Sequence, residues 1–138
     1  MQKMKVKKPW GTYEVLLDEP NYKVKRIVVH PYERFSLQYH KHREEHWVIV
    51  EGDGIVQVNQ KEYPAIPRSH WVILPKQNHR ATAGSNGLVF IETQTGRCEE
   101  EDIIRLEDDF STGASATKGP ARILATTQSA EACQSATM

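Results

Sequence analysis

Short β-type segments separated by turn residues recur along the first 110 residues, and this spacing limits the chain to an all-β architecture. Each segment is rich in Val, Ile, Thr, Tyr or Phe and is bounded by Gly, Pro, Asn or Asp. The segments are 12–17, 22–29, 35–40, 45–50, 55–58, 71–74, 79–83 and 88–93. No long stretch has the 3.6-residue apolar period of a helix. The pattern therefore predicts a sandwich or barrel, such as a jelly roll that holds a ligand between its sheets.

Two glycine-containing stretches are interpreted as turns between these strands. Gly52–Gly54 separates two β-branched runs, which predicts a hairpin. Gly84–Gly87 precedes the last strongly apolar strand. We therefore expect the chain to reverse direction at both places.

Composition limits the class of protein further. A length of 138 residues predicts one domain, and 18 basic residues balance 18 acidic ones, which argues against bulk nucleic-acid binding. Cys98 and Cys133 fit neither a disulfide framework nor a cysteine zinc site, so a reducing cytoplasm is expected. No apolar run is long enough to span a membrane. We predict a single domain over residues 1–110 and a flexible or weakly helical C-terminal tail over residues 111–138, where Ser, Thr and Ala dominate.

A histidine-rich stretch predicts a metal site. His40 and His42 are two residues apart, so on a strand both imidazoles lie on one face. Glu45 follows after room for a tight turn and would return on a partner strand, and His79 offers a fourth ligand. Neutral imidazole and carboxylate suit a divalent ion such as Zn, Mn, Fe, Co or Ni. The alternative is a solvated polar hairpin without a metal.

Two candidate ligands, Glu45 and His46, follow the histidine pair, and strand alternation places them on opposite faces. Glu45 and Trp47 lie on one face, and His46, Val48 and Val50 on the other. We therefore favour Glu45 as the ligand, with His46 as the alternative. The apolar outward face suits an interface between two copies, so a homodimer is expected.

Four sequence blocks occur in the order of a known family: Gly11–Val15, Tyr22–Ile27, Ser36–Trp47 and Glu101–Asp109. From residue 9 to residue 110 the chain resembles the cupin domain of type II mannose-6-phosphate isomerase, which is often fused behind a mannose-1-phosphate guanylyltransferase. The resemblance implies a cupin double-stranded β-helix, a divalent metal, and interconversion of mannose 6-phosphate and fructose 6-phosphate.

The resemblance also implies the metal ligands, which are His40, His42, Glu45 and His79. One departure concerns the segment between Pro75 and His79, which lacks the family's glycine and is one residue shorter. Because this segment leads directly into His79, its length affects where the His79 side chain lies.

Isomerisation would also require a proton-transfer group and contacts to a sugar phosphate. Glu92 is the candidate base, with a solvated or structurally hydrogen-bonded carboxylate as the alternative. Gln38 shares the face of the histidines and is the candidate sugar contact. The candidate phosphate ligands are Lys25, Arg43, Arg80 and Arg105, each of which is otherwise a surface charge. Strand parity sets Arg43 and Arg80 opposite the metal ligands.

Two other functions fit the same residues. Three histidines and one glutamate also suit the iron of an oxygenase. A cupin that binds a sugar without catalysis is the third interpretation. Oxygen consumption or turnover of a sugar phosphate would separate these classes.

Overall fold

The computed structural model describes residues 4–110, and the regular elements in that range are nine β-strands. The strands are β1 (Met4–Lys8), β2 (Gly11–Glu19), β3 (Tyr22–Val29), β4 (Leu37–Tyr39), β5 (Arg43–Val58), β6 (Lys61–Ala65), β7 (His70–Ile73), β8 (His79–Gly96) and β9 (Ile104–Glu107). The predicted C-terminal tail lies outside the described residues.

All nine strands belong to one antiparallel sheet that curls on itself. One path runs β1-β2-β3-β8-β4-β9, and β5 pairs with β6, β7 and β8. Strand β8 therefore pairs with β3, β4 and β5 along its length. The all-β jelly-roll architecture predicted from the sequence is confirmed.

The two expected glycine turns are wrong. Strand β5 runs through Gly52–Gly54, and β8 runs through Gly84–Gly87, so each forms one long bent strand. Bulges interrupt the β5–β8 register between Ile49 and Glu51 and between Gly52 and Gly54. Gly52 has φ 90°, and a Cβ there would lie 2.1 Å from the carbonyl oxygen of Gly87. The absence of a side chain at Gly52 therefore lets the backbones of β5 and β8 approach each other closely.

Aromatic side chains fill the interior of the barrel. The Trp47 ring centroid lies 4.5 Å from that of Phe90 and 5.9 Å from that of Phe35, and Trp10 packs on Phe35 at 5.3 Å. Trp47 and Phe90 are fully buried. Because β5 alternates strictly, the residues two before and two after Trp47 also point inward. The aromatic core thus lies directly beneath the polar end of the barrel.

Strand β3 turns lysines, rather than valines, toward the interior at one end. Its inward positions are Lys23, Lys25, Ile27 and Val29, all buried, while Val24 lies half-buried on the other face. The apolar half of this inward face packs in the core, and the lysine half lies at the end of the barrel. Among residues 4–110 the structure contains no helix long and apolar enough to cross a membrane.

Candidate functional site

Three buried side chains converge at the polar end of the barrel. The Nε2 atom of His40 lies 3.2 Å from Nε2 of His79 and 3.1 Å from Oε2 of Glu45. Nε2 of His79 lies 3.7 Å from Oε1 of Glu45. All three side chains are at most 3% exposed. One ligand atom from each residue can thus face a common point, which is the arrangement that a metal ion requires.

Backbone carbonyl groups orient both imidazoles. Nδ1 of His40 lies 2.6 Å from the carbonyl oxygen of Asp102, and Nδ1 of His79 lies 2.9 Å from that of Gln77. A carbonyl oxygen can only accept, so each Nδ1 carries the proton and donates it. The unprotonated Nε2 of each ring then faces Glu45, as in metal sites where a second hydrogen bond fixes the ligand tautomer.

His42 does not join this group. Strand β4 ends at Tyr39, and its partners are β8 and β9 rather than β5, so the expected hairpin between the histidine strand and the Glu45 strand does not form. A turn follows β4 and leaves His42 exposed, with its backbone N–H donating to Asp102 Oδ2 at 2.9 Å. His46 is also exposed and lies on the outer face, 3.4 Å from Nδ1 of His70.

The Glu45 carboxylate accepts hydrogen bonds from two further side chains. Arg43 Nε donates to Oε2 and Trp47 Nε1 donates to Oε1, both at 2.9 Å. Burial raises the pKa of Glu45, but the neighbouring His40, His79 and Arg43 side chains outweigh burial, so that pKa lies far below its usual value. Burial lowers the pKa of His79 to about 4, although Glu45 opposes this. At neutral pH the site therefore offers an ionised carboxylate and a neutral imidazole.

A cavity of about 300 Å³ opens beside these three residues. Its apolar wall includes Trp10, Ile27, Phe35 and Trp47. Its polar and charged lining includes Lys25, Gln38, Arg43, Glu92, Glu100 and Arg105. Arg43 and Trp47 both line the cavity and both bond to Glu45, so the cavity and the three-residue cluster adjoin.

Glu92 projects from β8 into this cavity and is 5% exposed. Gln94 Nε2 donates a hydrogen bond to its Oε2 atom. Burial and the negative charge of Glu45 raise the pKa of Glu92 to about 7, against the opposing effects of Lys25 and Arg43. A carboxyl group with such a pKa can both accept and release a proton near neutral pH.

The predicted ligand contacts divide into two groups. Lys25, Gln38, Arg43 and Arg105 line the cavity. Arg43 points inward, contrary to the parity expectation, because the turn after β4 breaks the alternation that linked it to the histidines.

Arg80 is the exception among the predicted cations. It is buried on the other face of β8, where Nε donates to the Phe35 carbonyl oxygen and Nη1 to Glu107 Oε1, both at 2.8 Å. This side chain ties β9 to the barrel wall, so its assignment as a substrate contact is corrected to a structural one.

Sequence reasoning missed three residues at this end of the barrel. Asp102 orients His40, and its carboxylate accepts from the backbone N–H groups of Lys41 and His42. Lys23 and Glu100 form a charged group beside Lys25. Asp102 stands in the block Glu101–Asp109 that carried the family resemblance, which was the available signal.

The comparison with protein families identifies the chain. Residues 1–108 match the family described as "Mannose-6-phosphate isomerase C-terminal". The chain belongs to this family. The resemblance inferred from the sequence blocks is therefore confirmed.

Relatives of this chain are named for guanylyl transfer rather than for isomerisation. A mannose-1-phosphate guanylyltransferase of Klebsiella pneumoniae is 37% identical over 105 residues, and the mannose-1-phosphate guanylyltransferase RfbM of Salmonella typhimurium is 38% identical over 108. The matches cover 75% and 77% of the chain but 22% of each relative. The chain thus spans about a fifth of these proteins. Because they are named for guanylyl transfer, the expected mannose-6-phosphate isomerase activity is wrong for this family member.

Solved structures agree on the fold. A Streptomyces PAC13 structure with uridine superposes with a TM-score of 0.67 at 16% identity, covering 77% of this chain and 86% of that one. This likeness supports the cupin double-stranded β-helix and carries no functional assignment.

Proposed function

We propose that this chain is a metal-dependent cupin that binds a phosphorylated mannose, mannose 1-phosphate in the first instance, in the barrel cavity. The observation that carries the proposal is the buried group of His40, Glu45 and His79 beside a cavity whose lining includes Lys25 and Arg105. A metal would bind the sugar oxygens, and Lys25 and Arg105 would bind the phosphate.

The three side chains fit a divalent ion. Two ligand atoms each ~2.1 Å from one tetrahedral ion are about 3.4 Å apart, and the three separations here are 3.1, 3.2 and 3.7 Å. Two imidazoles and one carboxylate leave further positions open, as in catalytic and ligand-binding zinc sites. Zn, Mn, Co, Ni and Fe all accept this set of donor atoms. When bound, such an ion would polarise a sugar oxygen as a Lewis acid.

The cavity offers groups for each part of a hexose phosphate. Lys25 and Arg105 would neutralise the phosphate, and Gln38 would bond to a hydroxyl group. The indole of Trp10 would cover an apolar face of the ring. A volume of about 300 Å³ is at the lower end of the range for ligand pockets, which favours a monosaccharide phosphate over a nucleotide sugar.

We choose mannose 1-phosphate as the ligand because relatives of the chain are named mannose-1-phosphate guanylyltransferases. Guanylyl transfer belongs to proteins of which this chain spans about a fifth, so we assign to the chain the binding of the mannose phosphate rather than the transfer. Glu92 is the group that would exchange a proton with a hydroxyl of the bound sugar, because its pKa of about 7 allows both directions at neutral pH.

Calorimetric titration of mannose 1-phosphate tests this proposal. We expect binding to protein loaded with Zn or Mn and a large loss of affinity after chelation. His40→Ala should behave like chelated protein, whereas His46→Ala, on the outer face of β5, should behave like wild type. Equal affinity in the metal-free and metal-loaded protein would contradict the proposal, as would no binding in either.

We also propose that two copies associate through the outer face of β5 and that the protein acts in the cytoplasm. Val48 and Val50 are 36% and 43% exposed on this face, beside His46. On the neighbouring strands Val72 and Ile91 extend the apolar surface, since they pair with His46 and Val48 respectively. An exposed surface of β-branched residues is suited to a second identical surface.

A further inference from the structure

Two buried lysines converge on one partly exposed carboxylate at the end of the barrel. The ammonium groups of Lys23 and Lys25 lie 3.1 Å and 2.8 Å from the same oxygen, Oε2 of Glu100. We propose that Glu100 occupies the phosphate subsite of the ligand-free chain, and that the phosphate of a bound ligand displaces it. This inference rests on the proposed function, because it names where the phosphate of that ligand binds.

Differences in burial indicate which partner is replaceable. The side chains of Lys23 and Lys25 are 9% and 6% exposed, whereas that of Glu100 is 49% exposed. Lys25 is held further by the Tyr13 ring, whose centroid lies 4.1 Å from its ammonium group. The cations are therefore fixed parts of the barrel wall, and the anion can leave toward solvent.

Two cations at such depth require a negative partner. A buried charge left unpaired is strongly destabilising, so some anion must accompany the two ammonium groups. Burial raises the pKa of Glu100, but hydrogen bonds and charges from Lys25 and Lys23 outweigh it, so the pKa of this carboxyl lies below its usual value. A phosphate brings more negative charge and three acceptor oxygens, so it can satisfy both ammonium groups better than one carboxylate oxygen does.

The position of the subsite matches the rest of the cavity. Lys25 and Glu100 line the same cavity as Arg43, Glu92 and Trp47. A phosphate on Lys25 therefore leaves its attached sugar inside the cavity, next to the side chains that bond to Glu45.

Displacing Glu100 does not require its loop to leave the barrel. On one side, the carbonyl oxygen of Glu99 accepts a hydrogen bond from Arg43 Nη1 at 3.2 Å. On the other side, Asp102 is anchored to His40 and to the backbone N–H groups of the turn after β4. Anchors on both sides hold the backbone, so rotation of the Glu100 side chain alone frees the lysines.

Titration of inorganic phosphate into the full-length, metal-loaded chain tests the subsite without a sugar. Glu100→Gln should bind phosphate about tenfold more tightly than wild type, the factor expected on removal of one competing charged hydrogen bond. Glu99→Gln is the matched control, since its carboxylate lies 3.6 Å from Arg97 on the surface, and it should match wild type. Lys25→Met should lose about tenfold in affinity, and Lys23→Met supplies a second variant if Lys25→Met does not fold.

The outcomes separate this inference from the proposed function. Equal phosphate affinity in wild type, Glu100→Gln and Glu99→Gln would overturn the subsite, even if mannose 1-phosphate binds in a metal-dependent way. Tighter phosphate binding by Glu100→Gln, with no binding of mannose 1-phosphate, would support the subsite and reject the proposed ligand. Thermal unfolding of each variant in chloride buffer checks that the substitutions leave the fold intact.

Discussion

The Nε2 atoms of His40 and His79 lie 3.2 Å apart, although 39 positions separate the two residues in the chain. Because both nitrogens face Glu45, removal of either imidazole should reduce the affinity for Zn or Mn by at least about 10²-fold, the upper end of the loss caused by removing supporting hydrogen bonds. His42→Ala should leave the affinity unchanged, since this side chain is exposed. Competition with a chromophoric chelator measures all three. A loss in His42→Ala equal to that in His40→Ala would contradict the three-residue site.

Asp102 is expected to support the metal site without touching the ion. It holds the imidazole of His40 through its carbonyl oxygen and the turn after β4 through its carboxylate. Asp102→Ala frees that turn, so metal affinity should fall by about 10–100-fold. The adjacent, exposed Glu101→Ala is the control. If both variants bind metal like wild type, the turn is held by other contacts.

Arg43 and a metal ion use the same atoms. Nη2 of Arg43 lies 2.9 Å from Glu45 Oε2 and 3.2 Å from His40 Nε2. In chelator, Arg43→Met should destabilise the fold by about 3–5 kcal/mol, because it leaves a buried carboxylate without its cation. Added metal should restore a large part of that loss by binding the folded state. Urea unfolding with and without metal measures the effect, and an equal loss in both conditions would argue against shared atoms.

Glu92 should make stability depend on pH in a direction opposite to that of an ordinary carboxylate. Its folded pKa is about 7, above the value of 4.5 for a free side chain, so the folded chain binds the extra proton between these pH values. The stabilisation is complete below pH 4.5 and is lost as pH rises through 7. In chelator, the difference in unfolding free energy between wild type and Glu92→Gln should shift by up to about 3 kcal/mol over this interval. A difference that stays constant would contradict the raised pKa.

The outer face of β5 should control association. Val48→Lys places a charge in the middle of the exposed apolar surface, so two copies should no longer pack there. Light scattering at micromolar concentration should give the mass of a dimer for wild type and of a monomer for the variant. Glu44→Lys lies on the same outer face at the end of the strand and controls for added charge. A monomeric wild type would reject the interface.

Much of the fold and part of the site follow from side-chain alternation. The alternation of β5 correctly placed Glu45 and Trp47 inside and His46 outside, because strand periodicity is set by the backbone. It could not reveal that β4 pairs with β8 and β9, since pairing depends on distant parts of the chain. For that reason His42 was grouped with His40 although a turn separates them.

Backbone conformation explains another limit of the sequence argument. The segment before His79 is one residue short of the family pattern, yet His79 reaches the site. Lys76 adopts φ 73°, and its N–H donates to the His40 carbonyl oxygen at 2.7 Å. A lysine in this conformation is strained relative to glycine and gives no sign in the sequence. Likewise, the inward lysines of β3 could not be recognised, because their partner Glu100 lies far along the chain.

The hydrogen bond between His40 and Asp102 joins positions 62 residues apart. Contacts of such separation form late, because a long loop must close first, whereas neighbouring hairpins such as β1–β2 and β2–β3 can pair early. We therefore expect the site that would hold a metal to be completed after these hairpins have paired. If this contact forms after the transition state, an ion bound there should slow unfolding and leave the rate of folding almost unchanged.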